Sequence, residues 1–369
     1  MVSDLGMTRV IVKVGSSLLV DPSGEVRRAW LETLVSDIAN RRVQGQEIII
    51  VSSGAIALGA RRLSLPKGGR ASLEDAQAAA ATGQILLSQC WAELLGSQGI
   101  TAAQILVTLD DLEDRRRYLN ASATLDRLLS LDVIPVINEN DSVATSEIRF
   151  GDNDRLAARI AQAARAQCVI LLSDVDGLYT SDPSTDSTAT CIPRIEAITP
   201  KITAMAKSST SSGMGSGGMA SKIEAARIAN AAGADLIIVS GLTQHPLARL
   251  ARDECGTLFV ADKASSARKI WLAGRLTVKG RITIDAGAAH ALAKGASLLA
   301  AGATAVEGKF KRGDVVDIVS DGTAIARGLS EYDSADAARI AGKRSNALEI
   351  VLGYAPRAAM IHRDHLVML

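Results

Sequence analysis

Two lysines occupy positions where lysine is uncommon, and both lie close to glycine. Lys13 interrupts the apolar run 10–14 and is followed by Gly15, and Lys222 ends the glycine- and serine-rich segment 212–221. A lysine inside a buried strand needs a counter-ion or water, and glycine lets the backbone approach a phosphate closely. The pattern favours a phosphate bound by two ammonium groups. For Lys13 alone, the alternative is a side chain that extends from the strand end to solvent.

Two short segments rich in asparagine and aspartate lie near each other in the middle of the chain. The first, 138–141, follows an apolar run, and the second, 151–154, opens a segment with helical spacing. Together they could hold the ammonium group of an amino acid, orient the lysines, or hold the metal ion that accompanies a nucleotide. Asparagine and aspartate are also common in turns and helix caps, so a purely structural role is the alternative for each segment.

Hydroxyl groups follow two further apolar runs. The segment 52–55, Ser-Ser-Gly-Ala, leads directly into a helical pattern, and small side chains at a helix start favour a carboxylate or phosphate. An ordinary serine N-cap is the alternative there. Ser173 and Asp174 follow another run, where a nucleoside could lie across the sheet edge, and the alternative is a polar turn packed over Tyr179.

The most glycine-dense segment, 212–222, excludes two common nucleotide motifs. Its GxGxxG match follows a polar serine- and threonine-rich stretch and not a strand, so it does not predict a dinucleotide site. The chain also lacks GxxxxGK[ST], which excludes a P-loop enzyme. The segment therefore predicts a loop whose N–H groups and Lys222 close over a triphosphate, with a surface linker as the alternative.

The sequence offers no pair of side chains suited to nucleophilic catalysis. Its four cysteines are widely spaced, and its four histidines, His245, His290, His362 and His365, have no convincing partners in the sequence. Two lysines, loops of glycine and serine, and paired carboxylates suit phosphoryl transfer by positioning and charge neutralisation. The attacking group then comes from the substrate. A carboxylate substrate is already a nucleophile and would give an acyl phosphate without a general base.

The elements that must position these residues repeat one pattern, in which a short apolar run, a polar loop and a helical segment follow each other. This pattern is typical of a buried parallel sheet in an α/β sandwich, where ligands lie at the carboxyl ends of the strands. The predicted helices include 76–98, 155–166 and 221–232. The predicted strands are 10–14, 47–51, 100–106, 133–137, 169–172 and 236–239.

The C-terminal part has a different pattern of apolar and polar residues. Short alternating segments at 281–284, 314–319 and 324–329 are separated by Gly or Asp-Gly turns, which predicts a small, partly open β-barrel. We therefore predict an α/β domain over 1–262, a linker over 263–276 and a β-barrel domain over 277–369.

Composition agrees with a soluble two-domain protein. The chain has 369 residues, of which 47% are hydrophobic and 22% charged, and its net charge of +1 gives no whole-chain reason to expect a nucleic-acid partner. Neither a secretory signal nor an apolar run of membrane-spanning length is present, so we expect a cytoplasmic protein without a membrane partner.

Six motifs in this order resemble the glutamate 5-kinases of the amino acid kinase superfamily: VKVGSS, VSSGAIALG, VINENDSV, GDNDRLAA, LLSDVDGLY and GMGSGGMASK. Each motif is weak alone, and their shared order and spacing are specific. The match begins near residue 8 and reaches the C-terminus. The segment from about Leu276 to Gly353 resembles the PUA domain that many bacterial members carry. Ser173 and Ser216 stand where the family usually has threonine, and both keep the hydroxyl group.

The resemblance implies a three-layer α/β sandwich that phosphorylates L-glutamate to L-glutamyl 5-phosphate, the first step of proline biosynthesis, with ATP and Mg²⁺. The implied catalytic residues are Lys13, Lys222 and Asp154, and no protein-bound metal site is expected. The implied substrate-binding residues are Ser53, Gly54, Asp141 and Asn153. The implied ATP-binding residues are Lys13, Gly15, Ser173, Asp174, Ser216, Gly217, Gly218, Met219, Ala220, Ser221 and Lys222. A homo-oligomer (dimer or tetramer) and feedback inhibition by proline are also implied, although neither is legible in the residues.

Two other functions stay open at this point. A related kinase could act on N-acetylglutamate, aspartate, carbamate or UMP, because these enzymes share the sheet and the lysine-glycine strand. The C-terminal domain and Asp141, which suits a free ammonium group, favour glutamate over these substrates. The second alternative is RNA binding through the β-barrel, where Lys309, Lys311 and Arg312 form a short basic cluster. That cluster supplies few phosphate contacts and has no aromatic stacking platform.

Overall fold

The computed structural model describes residues 6–21, 23–143, 153–208, 218–250, 256–262 and 278–369. The chain divides into two compact units, Met1–Lys263 and Ala264–Leu369. The predicted linker 263–276 lies outside the described residues. No helix in the described ranges is both long enough and apolar enough to cross a membrane.

The first unit is built on an eight-stranded sheet in the order β3-β4-β2-β1-β5-β7-β8-β6. All neighbouring strands are parallel except β7 and β8, which are antiparallel. This confirms the predicted α/β sandwich around a mainly parallel sheet. The strands are β1 (Arg9–Val14), β2 (Glu47–Ser52), β3 (Ala102–Val107), β4 (Ile134–Glu139), β5 (Cys168–Ser173), β6 (Arg194–Ile195), β7 (Asp235–Ser240) and β8 (Thr257–Phe259).

Two details of the sheet differ from the sequence prediction. The short strands β6 and β8 were not predicted, because two or three residues are too few to show a periodic pattern. Asn138 and Glu139 were predicted to lie in the loop after β4 and instead form its end, paired in register with Leu106 and Val107 of β3. Pairing with β3 therefore carries the strand two residues beyond its apolar run.

Helices cover both faces of this sheet. Alternate residues of β1 (Val10, Val12 and Val14) share one apolar core with residues of the second and fourth helices. Lys13 points to the opposite face because side chains alternate along a strand. The helices are α1 (Ser16–Leu19), α2 (Arg28–Val43), α3 (Ala55–Arg62), α4 (Leu73–Gly96), α5 (Leu109–Glu113), α6 (Arg115–Ser130), α7 (Asn153–Ala164), α8 (Pro200–Ser208), α9 (Met219–Ala231) and α10 (Pro246–Arg249).

The second unit is a five-stranded sheet in the order β10-β9-β11-β12-β13, packed against short helices. Three of its strands are the predicted alternating segments, while the other two strands and the helices were not predicted. Its strands are β9 (Gly280–Ile284), β10 (Ala303–Gly308), β11 (Val315–Ser320), β12 (Thr323–Leu329) and β13 (Leu366–Met368). Its α-helices are α11 (Ala286–Ala293), α12 (Ser334–Ile340) and α13 (Leu348–Leu352).

Candidate active site

Two buried lysines contact one buried carboxylate in the first unit. Lys13 Nζ lies 2.6 Å from Asp154 Oδ1, and Lys222 Nζ lies 3.1 Å from Asp154 Oδ2. The side chains of Lys13, Lys222 and Asp154 are 10%, 5% and 1% exposed. Two ammonium groups held at one buried carboxylate are suited to bind an anion such as a phosphate beside them.

The three groups meet because of where their elements begin and end. Lys13 lies near the carboxyl end of β1, at the centre of the sheet between β2 and β5. Asp154 and Lys222 lie in the first turns of α7 and α9. The macrodipole stabilises an aspartate in a first turn and disfavours a lysine there. The contact with Asp154 therefore offsets the unfavourable interaction between Lys222 and the macrodipole of helix α9.

The pKa of Asp154 shows how strongly the lysines act on it. Burial alone would raise the pKa of this carboxyl group, but the charges of Lys13 and Lys222 and their hydrogen bonds lower it below its ordinary value. Asp154 is therefore ionised at neutral pH and holds both ammonium groups at one point. Such fixed positive charge stabilises charge that develops on a transferring phosphoryl group.

The surroundings of the lysines fit the phosphates of ATP. A Cβ atom at Gly15 would lie 3.8 Å from Lys13 Nζ, so glycine keeps open the space beside the ammonium group. Helix α9 starts after Gly218, which provides no side-chain cap. The first N–H groups of a helix have no intrahelical partner and favour a phosphate. Ser216 and Gly217, both predicted to bind ATP, lie outside the described residues.

Ser173 and Asp174 lie at the carboxyl end of β5, next to β1. Ser173 is buried, Asp174 is exposed, and the Ser173 hydroxyl donates to Asp174 Oδ1 at 3.1 Å. Ligands lie at this end of the sheet in folds of this type, and a nucleoside at this place stays a prediction. The alternative, a polar turn packed over Tyr179, also stays open, because Tyr179 Oη donates to Asp176 of the same segment at 3.0 Å.

Asn153 forms the centre of a buried polar group at the ends of β2 and β4. Its Nδ2 lies 2.9 Å from the Ser52 carbonyl oxygen, 2.8 Å from Ser53 Oγ and 2.8 Å from Asn138 Oδ1. Gly54 and not a serine is the N-cap of α3, and its φ of +110° requires glycine. The Ser53 hydroxyl therefore belongs to the polar group and does not cap the helix.

Asp141 is a buried carboxylate with an unmatched oxygen. Its Oδ1 atom has no hydrogen-bond partner among the described residues, and the residue is 7% exposed. Burial raises the pKa of Asp141 to about 6, although the charge of Arg70 acts to lower it. Asp141 also lines a cavity of about 290 Å³ together with Gln84, Leu106 and Glu139. An unmatched buried carboxylate is suited to bind a cationic group.

Gln84 has no role predicted from the sequence, and Asn138 is predicted only as part of a loop. Asn138 Nδ2 donates to Gln84 Oε1 at 2.8 Å, which connects helix α4 to the polar group around Asn153. The available signal was an amide side chain directly before the apolar run 85–87 of a helix that packs on the sheet. His245, which had no partner in the sequence, contacts Asp37 Oδ1 at 2.8 Å, and Asp37 also accepts from two backbone N–H groups at the start of α10.

The fold and the site define a phosphotransferase of the amino acid kinase type. The model of the amino acid kinase family matches residues 8–240, and the model of the PUA domain matches residues 280–352. Carbamate kinase from Giardia lamblia bound to AMP-PNP covers 70% of this chain and is itself fully covered, with a TM-score of 0.50 and 15% identity. That likeness concerns the fold alone.

Curated relatives give a narrower family. A glutamate 5-kinase from Sphingopyxis alaskensis is 67% identical over 98% of this chain and 97% of its own length. A glutamate 5-kinase from Zymomonas mobilis subsp. mobilis is 64% identical over 98% of this chain and 91% of its own. The chain belongs to the glutamate 5-kinases of the amino acid kinase family and carries a PUA domain.

Proposed function

We propose that this protein transfers the γ-phosphoryl group of ATP to the γ-carboxylate of free L-glutamate, which gives L-glutamyl 5-phosphate for proline biosynthesis. The observation that carries the proposal is the pair of buried ammonium groups, of Lys13 and Lys222, that contact the one buried carboxylate of Asp154. The curated relatives, named glutamate 5-kinases, support the choice of substrate.

The transfer itself requires positioning and charge neutralisation. A γ-carboxylate oxygen of glutamate attacks the γ-phosphorus in line, a new O–P bond forms, and the bond to the ADP oxygen breaks with its electrons retained by ADP. Lys13 and Lys222 neutralise charge on the phosphoryl oxygens, and Asp154 keeps both ammonium groups in place. The carboxylate is already deprotonated, so no side chain needs to act as a base.

Mg²⁺ completes the proposed site as part of the nucleotide. Among the described residues, no group of three or more His, Cys, Asp or Glu is arranged to hold a metal ion. We assign Mg²⁺ to the phosphate oxygens of ATP, where it would neutralise phosphate charge alongside the two lysines.

Asp141 and Asn153 supply the proposed contacts to the amino acid. Both have a buried side-chain oxygen without a hydrogen-bond partner in the described part of the chain, and both oxygens are acceptors suited to an ammonium group. The Ser53 hydroxyl, 2.8 Å from Asn153 Nδ2, can donate its own proton to a carboxylate. A free amino acid satisfies all three, whereas N-acetylglutamate would leave the Asp141 carboxylate without a cation.

Asp141→Asn is expected to raise KM for glutamate by about a hundredfold, because a buried charge-assisted hydrogen bond contributes roughly 1.5–3 kcal/mol. KM for ATP should stay within about twofold, since Asp141 is not among the groups around the lysines. The matched control is Asp132→Asn, in which a side chain that is 91% exposed loses its charge before β4. Steady-state kinetics on both substrates decide the matter. Equal changes in both KM values would oppose the assignment of Asp141 to the amino acid.

The raised pKa of Asp141 predicts a pH dependence for glutamate use. Only the carboxylate form attracts an ammonium group, so kcat/KM for glutamate should fall about tenfold per pH unit below about 6. The ordinary value for this group is 3.8, which would place the fall more than a unit lower. A pH profile of kcat/KM checks this. The Asp141→Asn variant should lack this fall, and an identical fall in that variant would assign it to another group.

The raised pKa of Asp141 also makes the stability of the fold depend on pH. The direction is opposite to that for a salt-bridged aspartate, whose pKa is lowered. The folded-state pKa of about 6 lies above the unfolded value of 3.8, so folding favours the protonated form. The stabilisation is fully present below pH 3.8 and is lost as pH rises through about 6. In the ligand-free wild-type protein, the free energy of unfolding should therefore decrease as the pH rises from 3.8 through about 6 because of Asp141. The Asp141→Asn variant should lack this contribution.

Hydroxylamine trapping of acyl phosphates tests the proposed reaction. The full chain is incubated with Mg-ATP and, separately, with L-glutamate, N-acetylglutamate or L-aspartate, and the hydroxamate is measured. We expect product with free glutamate and at least a hundredfold less with N-acetylglutamate, because acetylation removes the cation that Asp141 binds. Product with N-acetylglutamate or aspartate at the rate of glutamate would keep phosphoryl transfer and overturn the substrate.

RNA binding by the PUA domain is not favoured by the described side chains. Arg312 of the basic cluster contacts Glu331 Oε2 at 3.2 Å, and both side chains are largely buried. Burial would raise the pKa of Glu331, but His365 and Arg312 lower it below its ordinary value. Arg312 is therefore held inside the domain, and only Lys309 and Lys311 of the cluster are exposed. Two lysines supply few phosphate contacts.

Three further properties belong to the proposal. We propose that the protein is cytoplasmic, that it forms a homo-oligomer and that proline inhibits it by feedback. For the oligomer, a supporting feature is that β3 pairs on one side only among the described strands, while Ile85 and Leu106 near this edge are 70% and 37% exposed. An open strand edge with apolar side chains is suited to be covered by a second copy.

A further inference from the structure

A chain of three side-chain amides runs from helix α4 to the proposed glutamate site. Gln84 Oε1 accepts from Asn138 Nδ2 at 2.8 Å, and Asn138 Oδ1 accepts from Asn153 Nδ2 at 2.8 Å. Asn138 and Asn153 are 3% and 2% exposed, so water does not replace these partners easily. We call Gln84, Asn138 and Asn153 the amide relay.

The outer end of the relay is oriented by a hydroxyl group of the same helix. Gln84 Nε2 lies 3.5 Å from Ser88 Oγ, one helical turn away, which directs Gln84 Oε1 towards Asn138. Asn138 Oδ1 also accepts from the backbone N–H of Glu139 at 2.9 Å. An Asn138 amide turned by 180° would place one N–H₂ group against another and leave the Glu139 N–H without its acceptor.

The inner end of the relay determines which atom of Asn153 remains for a ligand. Asn153 Nδ2 has two hydrogens and three nearby acceptors, which are the Ser52 carbonyl, Ser53 Oγ and Asn138 Oδ1. With Nδ2 held by these acceptors, Oδ1 is the atom left over, and it is buried without a hydrogen-bond partner among the described residues. A buried acceptor in this state is costly until a donor binds.

We infer that Gln84 is a positioning residue for the amino-acid substrate, although it does not belong to the proposed substrate-binding set. By accepting from Asn138 Nδ2, it keeps Asn138 Oδ1 directed at Asn153 and so keeps Asn153 Oδ1 available to the ammonium group. This inference rests on the proposed function for the identity of the ligand. The relay itself rests on the hydrogen bonds alone.

Gln84→Met tests the inference because methionine keeps the length of the side chain and removes the acceptor. We expect KM for glutamate to rise about tenfold, since the buried Asn138 N–H₂ group loses a partner and the relay loses its fixed orientation. KM for ATP and kcat should stay within about twofold. Gln89→Met is the matched control, because Gln89 lies exposed on the same helix and contacts only Glu93 in the described hydrogen bonds.

Gln84→Glu provides the rescue that a purely structural role would not predict. Glutamate at this position keeps an acceptor at the end of the side chain, so its KM for glutamate should stay within about threefold of the wild-type value. A thermal-unfolding midpoint for each variant separates positioning from loss of fold. A ligand-free readout is the ¹H–¹⁵N spectrum of full-length protein labelled at asparagine, where Gln84→Met should shift the side-chain amides of Asn138 and Asn153.

Several results would overturn the positioning role. One is a KM for glutamate in Gln84→Met within twofold of wild type, and another is an unchanged side-chain amide of Asn153. A KM that rises equally in Gln84→Glu would show that the acceptor is not what matters. Failure of the proposed function is recognised separately, because wild-type protein would then form hydroxamate with another acid. The kinetics of the Gln84 variants are then measured with the acid that the wild-type protein uses. The ¹H–¹⁵N spectrum of the labelled asparagines does not depend on the substrate and tests the relay in the same way.

Discussion

Asp154→Asn is expected to lower kcat about a thousandfold, comparable to the upper range for removal of one group that stabilises transition-state charge. Asparagine has nearly the same volume, so the change is mainly electrostatic. Lys13 and Lys222 then face each other without the shared carboxylate that lies 2.6 and 3.1 Å from their ammonium groups. Neither ammonium group would keep its place beside the transferring phosphoryl group.

The same substitution should also lower the free energy of unfolding, by about 3–5 kcal/mol in the absence of ATP, because one partner of a fully buried ionic cluster is removed. Kinetics must therefore be measured well below the unfolding midpoint of the variant. The matched control is Asp235→Asn, since Asp235 is another buried carboxylate of the same unit and accepts from the Ala261 N–H at 2.8 Å. Asp235 is the first residue of β7 and so lies at the amino ends of the strands, away from the carboxyl ends that carry the site. That control should therefore lose stability without a comparable loss of kcat.

Lys222→Met is expected to lower kcat by a factor of about a hundred to a thousand, because one of two positive charges beside the phosphoryl group is lost. The fold should tolerate this change better than Asp154→Asn, since Asp154 keeps its contact with Lys13 and the buried charges then sum to zero. The helix start at α9 also loses a positive charge that the macrodipole disfavours.

We therefore expect the Lys222→Met variant to lose most of its kcat while its thermal-unfolding midpoint stays close to that of the wild type. Lys201→Met serves as its control, because Lys201 lies exposed on α8. Turnover of Lys222→Met above about a tenth of the wild-type rate, with normal stability, would argue that Lys222 neutralises charge on Asp154 and not on the phosphoryl group.

Much of the fold was predictable because strong local patterns set it. The six long strands of the first unit are almost uninterrupted apolar runs, and the functional groups at their ends follow from the rule that parallel strands present ligands at their carboxyl ends. Lys13 stands out in the sequence for a physical reason, because an ammonium group inside an apolar run needs a partner. The two- and three-residue strands β6 and β8 lack any such pattern.

The parts of the site that were not predicted depend on contacts between distant segments. Gln84 and Asn138 are separated by 54 positions, and nothing in either local sequence specifies their hydrogen bond. Asp141 is predicted from the sequence to be the partner of an ammonium group, but nothing in the local sequence indicates its burial. That burial raises its pKa to about 6, so the carboxyl group proposed to bind the substrate should also set a pH limit on activity.

In the proposed reaction, the γ-carboxylate of glutamate attacks the γ-phosphorus of ATP. Glutamate labelled with ¹⁸O in its γ-carboxylate, incubated with Mg-ATP and hydroxylamine, tests this directly. Hydroxylamine attacks the acyl carbon, so the released phosphate keeps the oxygen that joined carbon to phosphorus. We expect one ¹⁸O atom in each phosphate released with a hydroxamate, as read by mass spectrometry. Phosphate without ¹⁸O would mean that water attacks ATP and that glutamate is not the nucleophile.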